Sequence, residues 1–277
     1  MSPESFAEYR DIGGSEPLRQ GDVLEAVDIA ASKWKRHLMV ITADCDFANH
    51  KNHGRVTCVP LLTAEEYLVE MQLPKVRERI VKKHLTALRT IVAQVAAPNI
   101  TDERLREWVS EEDPGAVLAG LGLDGADAET AQMAIESIRL IDEPRTTLKE
   151  HVEALVEVQM RGANPPKRAN AIKNVLEPLQ DSYASPPGDA LFLTTLAPTH
   201  DIGYFAYLRH LEQIWEPEIS TSPGRTDAKY SRIARLQDRF THALVQRFAT
   251  VFMSIGLPSE YEGLRDLHSE ILGESFK

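Results

Sequence analysis

Apolar positions follow two rhythms along this chain, and the rhythm changes twice. The first stretch reads as strands. In QGDVLEAVDI (residues 20–29) a Gly-Asp turn leads into Val23, Leu24, Val27 and Ile29, which predicts a strand. HLMVIT (37–42) is short, continuous and β-branched towards its end, as a buried strand should be. RVTCVPLL (55–62) alternates and then runs apolar, with Pro60 predicting a sheet edge or the strand's end. Residues 43–54 between them are polar, so strand, loop and strand is the simplest geometry.

From residue 63 to about 182 the period becomes helical. In residues 73–98, Val76, Ile80, Leu85, Leu88, Ile91, Val92 and Val95 recur at helical spacing, between Pro74 in the first turn and Pro98 after the end. Residues 101–113 open with Thr101 as an N-cap and carboxylates in the first turn. Residues 127–142 and 144–160 predict two more helices, and 165–183 another, broken near Pro178. The Gly-rich segment 120–125 predicts a turn.

After Pro186-Pro187-Gly188 the strand rhythm returns. Residues 189–198 predict a strand, and 202–215 fit strand or helix. Residues 216–228 predict a polar loop with two prolines. The last long element is a helix: Tyr230, Ile233, Leu236, Phe240, Leu244, Phe248, Val251, Phe252 and Ile255 form one stripe, closed by Gly256 and Pro258. The expected architecture is α+β. An N-terminal arm (1–19) leads into a small β-barrel made from 20–62 and 188–215. A helical insertion spans 63–182, and a C-terminal helix over 228–257 packs on the barrel. Neither strand set is large enough to fold alone, which favours one sheet over two domains.

Composition narrows the class. The chain has 277 residues, 43% hydrophobic and 26% charged, as a globular protein with a substantial core should. It has no run of about 18 apolar residues, so no membrane span is expected. The opening MSPESFAEYRDIGG has neither the basic start nor the apolar core of a signal peptide. Two cysteines cannot make a disulfide framework, so the expected compartment is a reducing cytoplasm. A net charge of −11 argues against strong non-specific nucleic-acid binding.

Gly21-Asp22, Arg36 ahead of the apolar run 38–42, and Pro60-Leu61-Leu62-Thr63 occupy the positions of short motifs that open the MazF/PemK toxin family, and residues 20–63 resemble that opening. The resemblance implies an SH3-like barrel and ribonuclease activity, with Arg36 and Thr42 inheriting the family's roles by position. His37 replaces the family's proline, Asp44 and Asp46 place carboxylates where RNA phosphate would approach, and the helical block is foreign to those small toxins. Thr42 and Cys45-Asp46, with Arg235, Leu236, Arg247-Phe248, Phe252 and Gly256-Leu257-Pro258, also resemble prokaryotic proteins of conflict or phage-defence loci.

Both cysteines and two of the nine histidines fall within residues 45–58, and this loop carries the candidate chemistry. Cys45, His50, His53 and Cys58 are zinc-type ligands, although their spacing matches no assignable site, and buried cysteines beside solvated histidines are the simpler reading. A nucleophilic Cys45 is disfavoured by Asp44 and Asp46, which raise a thiol's pKa. Asp44 and Asp46 suit Mg²⁺, or equally an Asx-type cap that closes the loop. A small polar pocket of Cys45 and Asn49, completed by His200 and Asp201 from a neighbouring strand end, requires the least chemistry. The expected function is therefore a non-enzymatic partner-binding or regulatory component of a prokaryotic defence or toxin-like system. It needs no cofactor, zinc or magnesium being the alternatives, and its partner is a protein. The competing reading is a MazF-like endoribonuclease or other hydrolase acting on RNA through Arg36, Thr42, Asp44, Asp46 and His53.

Overall fold

A computed structural model of the chain describes residues 7–95, 100–162, 164–222, 225, 227–253, 264, 267 and 268. Nine strands form one curled, mostly antiparallel sheet, a half-barrel. In chain order they are β1 (Tyr9–Arg10), β2 (Asp22–Ala26), β3 (His37–Val40), β4 (Arg55–Thr63), β5 (Ala190–Leu193), β6 (Tyr204–Tyr207), β7 (Glu212–Trp215), β8 (Ile219–Ser220) and β9 (Tyr230–Leu236). The sheet order is β1-β9-β2-β3-β4-β6-β5, with β7 also beside β4 and β8 parallel to β9.

The continuous apolar run of β3 is explained by burial on both faces. Val23, Met39, Leu61, Tyr204, Leu236 and Leu244 pack on one side of the sheet. Leu24, Leu38, Val40, Val56, Cys58 and Ile214 pack on the other. Pro60 is neither at the edge nor at the end of its strand. On one side β4 pairs with β7 through Arg55 to Cys58 and with β6 through Leu61 to Thr63. Pro60 sits at the changeover, where no N–H is needed on that side, and this is where the sheet curls. Gly21 has φ +87°, and a side chain there would run into Thr241.

The helices are α1 (Lys33–Arg36), α2 (Asp44–Ala48), α3 (Ala64–Tyr67), α4 (Leu73–Val95), α5 (Asp102–Glu111), α6 (Pro114–Leu121), α7 (Gly125–Asp142), α8 (Leu148–Met160), α9 (Arg168–Ala184) and α10 (Asp238–Phe252). A π-helical turn, Leu68–Gln72, joins α3 to α4. Helices α3 to α9 lie in sequence between β4 and β5; α4 to α9 share a core that includes Leu85, Leu88, Ile135, Ile138, Leu155 and Val175, while Ala64 and Tyr67 of α3 pack with Leu62, Ala190 and Phe205 of the sheet. Thr101 caps α5, and Thr147 with Glu150 forms a capping box on α8. Gly122, with φ +62°, ends α6, a helix the apolar pattern did not predict.

Three expectations are corrected. The helix expected over 228–257 is strand β9 followed by α10, and residues 254–257 lie outside the described residues. Tyr230, Ile233 and Leu236 mimic helical spacing because β9 carries a bulge: its register against β2 shifts between Val23 and Leu24, with Ile233 the extra residue. Helix α9 runs through Pro178 without a break, Val175 and Leu179 being buried on either side of it. Residues 44–48, expected to lie in a loop, form the short helix α2. The ambiguous segment 202–215 is two strands, β6 and β7, and Tyr9–Arg10 of the expected arm pairs with β9. Among the described residues no helix is long and apolar enough to cross a membrane.

Candidate functional site

The fold separates the residues that sequence reasoning had grouped. Arg36 ends α1 and is ion-paired with Glu66. Thr42 is buried, and its Oγ1 accepts a 2.7 Å hydrogen bond from the Thr57 amide, closing the β3–β4 pair. Six residues of nearly extended chain, about 20 Å, separate Arg36 from Thr42, so the two do not form one site. Asp44 accepts the Gln20 amide at 2.8 Å and pairs with Arg19 at 3.2 Å. Asn49 donates to the Cys45 carbonyl at 2.7 Å and closes α2. His50 and His53 are exposed, with φ of +54° and +49°, as turn residues of the loop between α2 and β4.

The cysteines lie in different environments. Cys45 is exposed, whereas Cys58 is buried in the sheet core, where burial first and then the charge of Glu212 push its thiol well above the ordinary range. Cys45, His50, His53 and Cys58 do not converge as ligands. Nor do Asp44 and Asp46 with a third ligand: among the described residues a single group of three or more His, Cys, Asp or Glu side chains gathers its ligand atoms within 4.8 Å. That group is Glu25, His37 and His200. His200 therefore does not join Cys45 and Asn49 in a pocket. It stands at the opposite end of β3 from α2, and exposed Asp201 follows it.

The construction of this group follows from register. Glu25 and His37 are directly opposed across the antiparallel β2–β3 pair. Alternation puts both on the face carrying Val23 and Met39. His200 comes from the loop after β5, held by two backbone hydrogen bonds of 2.9 Å, from Leu196 N to its carbonyl and from its own N to Ala197 O. Glu25 Oε1 lies 3.3 Å from His37 Nε2 and 3.1 Å from His200 Nε2. The His37 ring meets His200 and Tyr204 edge-on, with centroids 5.2 and 5.7 Å apart. His200 Nδ1 is 3.1 Å from the Thr199 hydroxyl, while His37 Nδ1 is buried without a partner.

Burial is the largest influence on His37 and holds its imidazole below the ordinary range, against the pull of Glu25. Burial also pushes Glu25 upward, but its bonds to His200 and His37 outweigh this and hold the carboxyl below the usual range. The Tyr204 phenol is pushed up chiefly by burial. Sequence reasoning missed Glu25 and His37. The signal present was a charged residue and a histidine placed where an alternating and a continuous apolar strand should carry neither.

A second feature lies where the helices meet the sheet. A groove of about 590 Å³ is lined by Ala64, Leu68, Leu148, Val152, Ile172 and Leu176. Tyr183 and Ile202 border it and are 41% and 66% exposed. Glu65, Lys149, Glu153 and Arg168 add charge to its lining. Glu65 also accepts the Leu148 amide at 3.0 Å, tying α3 to the start of α8. Comparison of the chain with family models, curated proteins and solved structures finds no match, which bears neither way on the MazF/PemK resemblance.

Proposed function

We propose that this protein is a partner-binding component that seats the apolar face of a helical protein segment in the groove between α3, α8 and α9. The observation that carries the reading is the groove itself: an apolar floor with Ile202 and Tyr183 left exposed beside it. Helix-in-groove recognition uses such a surface, burying a few anchors spaced along one face of the partner. Mixed charges beside the floor suit a partner segment with both signs on its flanks. In this reading the half-barrel is SH3-like and α3 to α9 are inserted between two of its strands, which leaves the insertion free to form a docking face. Membership of a prokaryotic defence or toxin-like system rests on resemblance alone, that of residues 20–63 and that of Thr42 and Cys45-Asp46 with the segment from Arg235 to Pro258. The ribonuclease reading finds less support, because Arg36 is engaged by Glu66 and Thr42 is part of the β3–β4 pairing.

A photoreactive side chain at Ile202 tests the proposal in cells of the source organism. A single protein adduct of discrete mass is expected, lost when Leu176→Lys is added. None is expected from the same group at Ile29, which is 98% exposed on the sheet side. Ile202→Glu should shift folding stability by no more than about 0.5 kcal/mol, as for an exposed site. Equal labelling from positions 202 and 29, or no adduct, would overturn the assignment.

A further inference from the structure

We propose that Glu25, His37 and His200 bind a divalent first-row transition-metal ion, with zinc the closest fit. The argument stands apart from the groove and starts with distance. A tetrahedral ion with bonds of about 2.0–2.1 Å keeps its ligand atoms about 3.3 Å apart. The two Nε2 atoms lie 3.3 and 3.1 Å from Glu25 Oε1, and the three residues' ligand atoms all fall within 4.8 Å of one another. An ion seated among them needs only small side-chain adjustments.

Donor chemistry selects the ion. Two imidazoles and one carboxylate suit zinc and its neighbours, whereas magnesium and calcium favour oxygen-only sets. An imidazole must be neutral to coordinate, and each of the two turns its Nε2 towards the Glu25 carboxylate. For His200, coordination through Nε2 puts the remaining proton on Nδ1, where the Thr199 hydroxyl at 3.1 Å accepts it and fixes the ring. In the hydrogen-bonded arrangement a single carboxylate oxygen serves both imidazoles.

The three ligands come from β2, β3 and the loop after β5. A bound ion would therefore pin that loop, which also carries Ile202, onto the strands. Three protein ligands leave one position of a tetrahedral ion for water or an exogenous donor. The Glu25 side chain, 39% exposed, opens the cluster to solvent.

The test uses the full chain, stripped with a chelator and titrated with Co²⁺ in the absorption spectrometer and Zn²⁺ in the calorimeter. One equivalent should bind, with the visible bands of tetrahedral Co²⁺ and a Zn²⁺-dependent rise in the thermal midpoint. Glu25→Gln and His200→Ala should each weaken Zn²⁺ at least 10-fold and remove most of that rise. Cys45→Ser and Asp46→Asn should leave both unchanged. His37 is too buried for its replacement to be informative. Its role is read instead from the imidazole ¹⁵N resonances of the native chain, which should move on adding Zn²⁺ for His37 and His200 and not for His50 or His53. Absence of stoichiometric binding would overturn the site, leaving a hydrogen-bonded triad. So would binding that Cys45→Ser abolishes while Glu25→Gln does not.

Discussion

Strand β2 carries two acidic positions three residues apart, one buried and one partly exposed, and they are treated in opposite ways. Asp22 is wholly buried, with Arg235 donating to both of its oxygens, Arg232 to one of them at 3.4 Å and the Arg19 amide at 2.8 Å. The bulge at Ile233 lets Arg232 and Arg235, three residues apart, both face this one carboxylate. Glu25, on the other face, forms no ion pair with Lys or Arg among the described residues. It meets two histidines, one with an unpartnered buried nitrogen, and it is partly open to water. A buried carboxylate closed off by charged donors specifies a fold, even with Arg232 Nε left unpartnered beside it. Polar groups left incomplete at a solvent-reaching rim keep capacity for something else.

Breaking the closed cluster should have the largest effect. Asp22→Ala removes the buried carboxylate that Arg235 and Arg232 share, leaving Arg235 only Glu16 and the Pro17 carbonyl, and should cost about 3–5 kcal/mol in denaturant unfolding at pH 7. A cost under about 1 kcal/mol would remove the distinction between the two clusters. Glu8 is an intermediate case, a buried carboxylate satisfied by neutral donors: the Thr194 amide at 2.8 Å and the Thr194 and Thr195 hydroxyls at 2.7 and 2.9 Å. Burial raises its pKa, but these bonds prevail and hold it below the ordinary 4.5. Its contribution is thus complete above that ordinary value and is lost as pH falls through the lower folded-state value. Glu8→Gln should cost about 1–3 kcal/mol at pH 7 and flatten the acid limb of the stability profile. An unchanged acid limb would mean that Glu8 is not held ionised by these threonines. The smallest effect belongs to the open cluster. Without metal, Glu25→Gln should cost less than about 1 kcal/mol, since its partners are histidines and the site is partly solvated. A loss as large as that expected for Asp22→Ala would make this cluster structural too.

Much of the architecture was legible in the sequence because it depends on short-range periodicity. Continuous and alternating apolar runs located β2, β3 and β4, and the 3.6-residue period with the Thr101 cap located most of the helices between β4 and β5. The misreading of 230–236 has a physical cause. A bulged strand repeats apolar residues every three positions, as a helix turn does, and only the partner strand with buried Asp22 decides between them. Pro60 misled for the same reason: what a missing N–H costs depends on which strand lies beside it.

The chain by itself determined an acidic α+β protein with strands on either side of a helical block, because burial periodicity and helix caps are local properties. The candidate site was decided elsewhere. Reactive residue types crowded in residues 45–58 drew attention to a loop that the fold spreads over a helix, a turn and the sheet core. Glu25, His37 and His200, 175 positions apart at their extremes, meet only through strand register and the return of the chain to the sheet after the helical block α3 to α9. Cross-strand opposition and loop closure are relations between distant segments, and no local pattern encodes them.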